Sequence, residues 1–310
     1  MAHQPQTSPD LSAFPQPITI NPKSRSHKQT FIILHGRGDN GPSFGPALLA
    51  LEVAGHGHLQ TLPDIFPEAK FIFPTAPSRR VAATNRIVLK QWFDIWSLKD
   101  PYSKEWVQSE GLRETTAYIH ELVKEETKFV GGGNVFLGGL SQGCAAVLVA
   151  LLLWDEDAGQ APAACFGMCG WLPYAKTMTH LARRRRLGTE NQDTGIEGQQ
   201  RFDGAAGTAV EHLSTPGEQS ILFLQDQLEI HKPDAGAPST NFRNVPVFLG
   251  HGEDDEKVLL PLGMQASECL EALGAPVSFE SYRGLGHWYS PEMLGDMVTF
   301  LQEHSSAFKY

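Results

Sequence analysis

The pentapeptide Gly139-Leu140-Ser141-Gln142-Gly143 lies between two apolar segments of different character. Residues 134–137 before it read as a short buried strand, and residues 144–153 after it read as an apolar helix. A Gly-x-Ser-x-Gly turn in this setting forces the serine into a tight, strained corner, from which its hydroxyl projects above the sheet edge. The pattern therefore predicts a strand–turn–helix unit that presents Ser141 as a nucleophile.

The rest of the chain alternates between strand-like and helix-like segments. Strands are predicted at 31–34, 70–73, 163–168, 245–249 and, with a more exposed pattern, 277–282. Helices are predicted at 109–129, at 262–273 and from Pro291 onward, where Ser290 is the capping residue. Such alternation predicts an α/β fold, with a mostly parallel central sheet and helices on both of its faces. Residues 30–310 are expected to form this single domain.

Two segments depart from the alternation. Residues 1–29 are rich in Pro, Ser and Gln and lack the apolar core of a signal peptide, so we expect a flexible N-terminal lead. Residues 176–241 have weak periodicity and are expected to form an irregular, partly disordered insertion with one short helix near 220–228. This insertion contains four consecutive arginines at 183–186. A solvated surface is the simpler interpretation, and contact with anionic lipid or an acidic partner is the alternative.

Charge and cysteine usage exclude several classes of protein. The 25 basic and 35 acidic residues give a net charge of −10, which argues against a nucleic-acid partner. The longest apolar run, near 145–154, is too short to cross a bilayer. The spacing of the four cysteines fits neither a metal site nor a disulfide framework; they are Cys144, Cys165, Cys169 and Cys269. We therefore expect a cytoplasmic enzyme without a metal ion.

A serine nucleophile needs a base to take its proton and an acid to orient that base. In sheet hydrolases these groups follow the serine in the order acid, then histidine, each on a loop after a strand. Of the 12 histidines, only His287 lies at a strand exit that comes after both the serine and the candidate acids, and it is followed by a helix. The loop after the strand at 245–249 supplies the acids, and the spacing His-Gly-x-x-Asp-x-x-Val favours Asp255 over Asp254.

The oxyanion of an acyl-transfer intermediate needs two N–H donors. The residue after the nucleophile, Gln142, offers one at the start of a helix, where the helix dipole adds to the effect. The loop His35-Gly36-Arg37-Gly38 after the first predicted strand offers the other, and the predicted donor is the amide of Arg37. Taken alone, this loop could equally be a plain glycine turn.

These residues occur within short blocks that run in a familiar order. The blocks are Leu34-His35-Gly36-Arg37-Gly38-Asp39, Phe73-Pro74-Thr75-Ala76-Pro77, Gln91-Trp92-Phe93-Asp94-Ile95, 139–143, 251–258 and Gly286-His287. Together they resemble the acyl-protein thioesterase and carboxylesterase branch of the α/β-hydrolases. The resemblance implies an α/β-hydrolase fold and hydrolysis of acyl esters or thioesters without a metal or organic cofactor.

The resemblance also implies a substrate channel near the Trp92-Phe93-Asp94 segment. Trp92 and Phe93, together with Trp288 beside the predicted base, are the expected substrate contacts. Core packing is an equal alternative for Trp92 and Trp96. Arg37 stands where the family commonly has an apolar residue, and the long insertion is absent from the compact members.

The predicted function is that of a serine hydrolase acting on a fatty-acyl thioester or a carboxylic ester. Its partners would be an acylated protein, a lipid or a small-molecule ester, and transient contact with a membrane surface stays open. One alternative is a small-metabolite esterase or lysophospholipase whose pocket the insertion reshapes. The other is a non-catalytic receptor built on the same scaffold.

Overall fold

The computed structural model describes residues 11–57, 59–84, 87–154, 159–184, 215–230 and 237–304. Within these ranges seven strands form one sheet. They are β1 (Ile18–Ile20), β2 (Gln29–Leu34), β3 (Ala69–Phe73), β6 (Val135–Leu140), β7 (Ala164–Met168), β8 (Val247–Gly252) and β9 (Val277–Tyr282). Their order across the sheet is β1-β3-β2-β6-β7-β8-β9. The strands β4 (Ser78–Arg80) and β5 (Val88–Lys90) form a separate antiparallel hairpin.

All pairs in the large sheet are parallel except the edge pair β1–β3. Alternate residues of β2 enter different cores, because successive side chains of a strand point to opposite faces. Phe31 and Ile33 pack in one core, and Ile32 and Leu34 pack in the other. Both faces of the sheet are thus covered, which confirms the predicted mostly parallel sheet with helices on both sides.

Eight α-helices lie in the described residues. They are α1 (Gly41–Leu49), α2 (Leu62–Ile65), α3 (Ser109–Val130), α4 (Gln142–Leu152), α5 (Ala175–Ala182), α6 (Pro216–Gln227), α7 (Leu260–Leu273) and α8 (Pro291–His304). The buried side chains of α1 and α8 belong to one core, and those of α3, α4 and α7 belong to the other. In the described part of the chain, no helix combines the length and the apolar character needed to span a bilayer.

The expected flexible lead is wrong for residues 11–29. Strand β1 pairs with β3, with Ile18 opposite Phe73, and the ring of Phe14 stacks on Tyr118 with centroids 4.0 Å apart. A few apolar side chains in a polar segment are enough to attach it, because the open edge of β3 offers unpaired backbone groups. Residues 1–10 lie outside the described ranges.

The expected irregular insertion at 176–241 contains more helix than the sequence indicated. Helix α6 includes the helix expected near 220–228 and begins with a capping box between Thr215 and Glu218. Helix α5 covers the first part of the segment and follows Tyr174, whose left-handed φ of 60° separates it from β7. Arg183 and Arg184 are exposed, as a solvated surface predicts, but residues 185–214 and 231–236 lie outside the described ranges.

Candidate active site

The candidate site lies where the strand order of the sheet reverses. From β2 the chain adds β3 on one side, and β6 then pairs with β2 on the other side. The loops that leave the carboxyl ends of β2 and β6 therefore diverge and open a crevice, the usual location of a site in such sheets. The two loops are close here, because a Cβ on Gly36 would lie 3.5 Å from the Cβ of Ser141.

Ser141 occupies a strained backbone conformation at the turn between β6 and α4. Its φ and ψ angles are 56° and −117°, a region that non-glycine residues rarely adopt. A close approach of backbone segments holds the turn, since a Cβ on Gly143 would lie 2.4 Å from the carbonyl oxygen of Leu34. The turn has the strand–turn–helix geometry that the pentapeptide predicts.

The structure brings Ser141, His287 and Asp255 together, although 146 residues separate the serine from the histidine. His287 Nε2 lies 2.9 Å from Ser141 Oγ, and His287 Nδ1 lies 2.7 Å from Asp255 Oδ2. In the tautomer with the proton on Nδ1, the ring donates to the carboxylate and accepts the serine hydroxyl. Asp254 is exposed and its backbone N–H donates to Leu285, so Asp255 is the acid that contacts His287.

The carboxylate of Asp255 is buried and receives several hydrogen bonds. Its Oδ1 atom accepts from the backbone N–H groups of Lys257 and Val258, both at 2.9 Å. Burial opposes ionisation, but hydrogen bonds from His251, His287 and Val258 outweigh it and hold the pKa of Asp255 well below its usual range. Asp255 is therefore ionised wherever His287 acts as a base.

Three hydrogen bonds that involve His35 hold the loop after β2. The His35 ring donates from Nδ1 to Gly36 O at 2.6 Å and accepts the Ala76 N–H at Nε2, at 3.0 Å. Burial lowers the pKa of His35 to about 4, so the ring stays neutral at neutral pH. The indole of Trp92 donates to the carbonyl oxygen of His35 at 2.8 Å.

The amide groups predicted as oxyanion donors have no acceptor within the described residues. The neighbours of Arg37 do bond, since Gly38 N–H donates to Lys90 O and Asp39 N–H donates to Gly36 O. Among the same residues, no hydrogen bond is made by the N–H of Arg37 or of Gln142. Unpaired backbone donors beside a buried serine are the chemistry that an oxyanion requires.

Trp92 and Phe93 pack in the core, as the packing alternative for Trp92 predicts, and a substrate contact of either stays a prediction. Both are fully buried. The side chain of Gln142 joins them to the nucleophile turn, because it accepts from the Trp92 N–H at 3.0 Å and donates to Phe93 O at 2.7 Å. Of the three predicted substrate contacts, only Trp288 is exposed, at 47% of its surface, next to His287.

The structure adds two residues that the sequence reasoning left without a role. His251 is buried beside Asp255, and the thiol of Cys169 lies 3.2 Å from the carbonyl oxygen of Trp288. His251 was visible in the His-Gly-x-x-Asp-x-x-Val spacing, whereas nothing in the sequence marked Cys169. In the described part of the chain, no three His, Cys, Asp or Glu side chains are grouped so that they could hold a metal ion.

Several known proteins are similar to this chain over most of its length. The family model described as phospholipase/carboxylesterase matches residues 16–185 and 227–305. Acyl-protein thioesterase 1 of Candida albicans is 24% identical over 295 residues, which cover 92% of this chain and 96% of that protein. Carboxylesterase SOBER1 of Arabidopsis thaliana is 25% identical over 268 residues, with 86% of each chain covered.

Solved structures show the same fold at low sequence identity. The acyl-protein thioesterase 2 structure from Zea mays aligns with a TM-score of 0.61 and 24% identity, over 93% of this chain and 98% of that one. The esterase PE8 structure aligns with a TM-score of 0.58 and 19% identity, over 93% and 98%. Both the predicted α/β-hydrolase fold and the predicted family are confirmed: the chain belongs to the phospholipase/carboxylesterase family.

Proposed function

We propose that this protein is a serine hydrolase that cleaves acyl thioesters or carboxylic esters through an acyl-enzyme intermediate. The observation that carries the proposal is the continuous hydrogen-bonded chain from Ser141 through His287 to Asp255, at 2.9 and 2.7 Å. A serine hydroxyl becomes nucleophilic when a positioned base removes its proton. The names of the relatives place ester and thioester hydrolysis within the same family.

In the proposed mechanism, Ser141 Oγ attacks the acyl carbonyl while His287 Nε2 takes the hydroxyl proton. Asp255 stabilises the resulting imidazolium and keeps its Nδ1–H directed at the carboxylate. His287 then protonates the departing thiolate or alkoxide, which leaves the acyl group on Ser141. Water repeats the sequence with His287 as the base, and the acid product is released.

The tetrahedral intermediate would place its oxyanion between the amides of Arg37 and Gln142. The Gln142 amide opens α4, so the positive end of the helix dipole adds to its donor. The Arg37 side chain points elsewhere, because its Nε donates to Gln91 Oε1 at 2.8 Å. The main chain of residue 37, rather than its guanidinium, is therefore the proposed donor.

Two substitutions at Arg37 distinguish a main-chain oxyanion donor from a role of the guanidinium. Arg37→Met keeps the N–H, and we expect kcat/KM to stay within about tenfold of wild type. Arg37→Pro removes the N–H, and the loss of one oxyanion donor is worth about 10²–10³ in kcat. Steady-state kinetics on a p-nitrophenyl ester, with denaturant unfolding to verify folding, would test the pair. Equal losses in both variants would contradict the main-chain assignment.

Substrate class is addressed by a panel of thioesters, oxyesters and lysophospholipids with acyl chains from acetyl to palmitoyl. We expect kcat/KM to rise from acetyl to octanoyl, because each methylene buried on binding contributes about 0.8 kcal/mol. A steep preference for acetyl would instead favour the small-metabolite esterase. Absent turnover on every ester, together with tight ligand binding, would favour a receptor.

The remaining proposals concern partners and compartment. We propose an acylated protein, a lipid or a small-molecule ester as the substrate, and exposed Trp288 as a substrate contact at the rim. Transient contact with a membrane surface stays part of this proposal. The four cysteines are free and buried, which supports a cytoplasmic location because reducing compartments keep thiols unpaired.

A further inference from the structure

The carboxylate of Asp255 faces two imidazoles rather than one. His287 Nδ1 lies 2.7 Å from Asp255 Oδ2, and His251 Nε2 lies 3.4 Å from the same oxygen atom. His251 Nε2 also lies 2.8 Å from the carbonyl oxygen of Val258. A carbonyl oxygen only accepts, so Nε2 carries a proton that it donates to Val258 O, and Asp255 Oδ2 lies 3.4 Å from the same nitrogen atom.

Packing holds the His251 ring in this position. The side chain is 1% exposed, at the carboxyl end of β8. Helix α7 closes the opposite edge of the ring, since a Cβ on Gly263 would come within 2.4 Å of His251 Nδ1. The ring therefore cannot turn away from Asp255 without displacing the backbone of α7.

The other polar groups around Asp255 either already make hydrogen bonds or stay uncharged. Its Oδ1 atom is filled by the N–H groups of Lys257 and Val258. The Cys169 thiol lies near this pair, 3.2 Å from the carbonyl oxygen of Trp288, and burial raises its pKa to about 12, so it stays protonated through the neutral range. In the described part of the chain, His251 and the uncharged Cys169 are thus titratable groups next to the His287–Asp255 pair.

We propose that His251 is a positioning residue that competes with His287 for Asp255 Oδ2 and so sets how strongly the carboxylate holds the protonated base. This inference rests on the proposed mechanism. A protonated ring nitrogen 3.4 Å from Oδ2 stabilises negative charge on that atom and withdraws part of it from His287. Without His251, the carboxylate would favour the imidazolium more strongly, and the base would be less available at low pH.

The test compares His251→Phe, which keeps the ring but removes the donor, with His251→Gln, which keeps an N–H at the place of Nε2. We expect the acid limb of the kcat/KM profile to move to higher pH by about half a unit in His251→Phe, on the scale of a weak charge-assisted bond. In His251→Gln, the acid limb should lie close to its wild-type position. The Nδ1-bound proton of His287, observed by NMR, should move further downfield in His251→Phe only.

The matched control is His120→Phe. His120 Nε2 makes the same kind of bond, to Ala150 O at 2.8 Å, on helices α3 and α4. Its loss should lower the midpoint of urea unfolding while leaving the acid limb in place. A role of His251 limited to tying down Val258 O would give this same result, so an unmoved limb in His251→Phe overturns the proposal.

A measurement on the wild-type protein keeps the proposal testable even if His251→Phe does not fold. NMR of the intact chain should show a proton on His251 Nε2 whose shift changes when His287 becomes protonated. An absent proton, or one indifferent to His287, overturns the inference. The proposed hydrolase fails separately, because its failure would appear as turnover that does not depend on Ser141.

Discussion

Ser141→Ala should abolish both turnover of a short p-nitrophenyl ester and labelling by a fluorophosphonate probe. The substitution removes the only atom that can form the acyl bond, and loss of a triad nucleophile costs up to about 10⁶ in kcat. Ser141 is 5% exposed and sits at a φ of 56° that its neighbours impose, so the alanine variant should fold with the same turn.

Ser267→Ala is the matched control for this experiment. Ser267 is also 5% exposed, but it lies on α7 and its hydroxyl contacts Glu271 at 3.2 Å. Labelling and turnover should persist in that variant. Normal turnover in Ser141→Ala would remove the proposed mechanism, and labelling at another serine would relocate the nucleophile.

Asp255→Asn is expected to have the second largest effect. The amide can no longer hold His287 in the tautomer that accepts the serine proton, and such a change lowers kcat by about 10⁴. The neighbouring acid supplies the control, because Asp254 is exposed and has the same charge. Asp254→Asn should therefore change kcat by less than about twofold, since surface substitutions away from a site have small effects.

These two variants are to be compared at several pH values and with folding verified by circular dichroism. A large loss in Asp254→Asn with an active Asp255→Asn would reverse the assignment of the acid. Equal small losses would mean that His287 needs no carboxylate partner, in contradiction to the bond of 2.7 Å between them.

Chain order alone predicts much of the arrangement of the candidate site. Ser141, Asp255 and His287 each stand at a strand exit, and parallel strands bring such exits to one edge of the sheet. Helix α3 was equally predictable, because its apolar residues recur at helical spacing and the observed range Ser109–Val130 nearly matches 109–129. Periodicity and order are local properties that a single sequence contains.

Other features depend on contacts between distant segments. Strand β1 forms because the edge of β3 accepts it, and its own three residues are too short a run to predict a strand. The burial of Trp92 and Phe93 depends on the core that they share with α3 and α4, which lie elsewhere in the chain. His251 also acquires its place only when β8 meets α7.

The segment that Gln142 contacts at 92–93 is also connected to the loop that contains Arg37. Gln91, which directly precedes that segment, accepts a hydrogen bond from Arg37 at 2.8 Å. The two segments that contain the proposed oxyanion amides, 105 positions apart in the chain, thus both contact residues 91–93. An alteration at 91–93 would therefore act on both segments at once, although Trp92 and Phe93 themselves are buried.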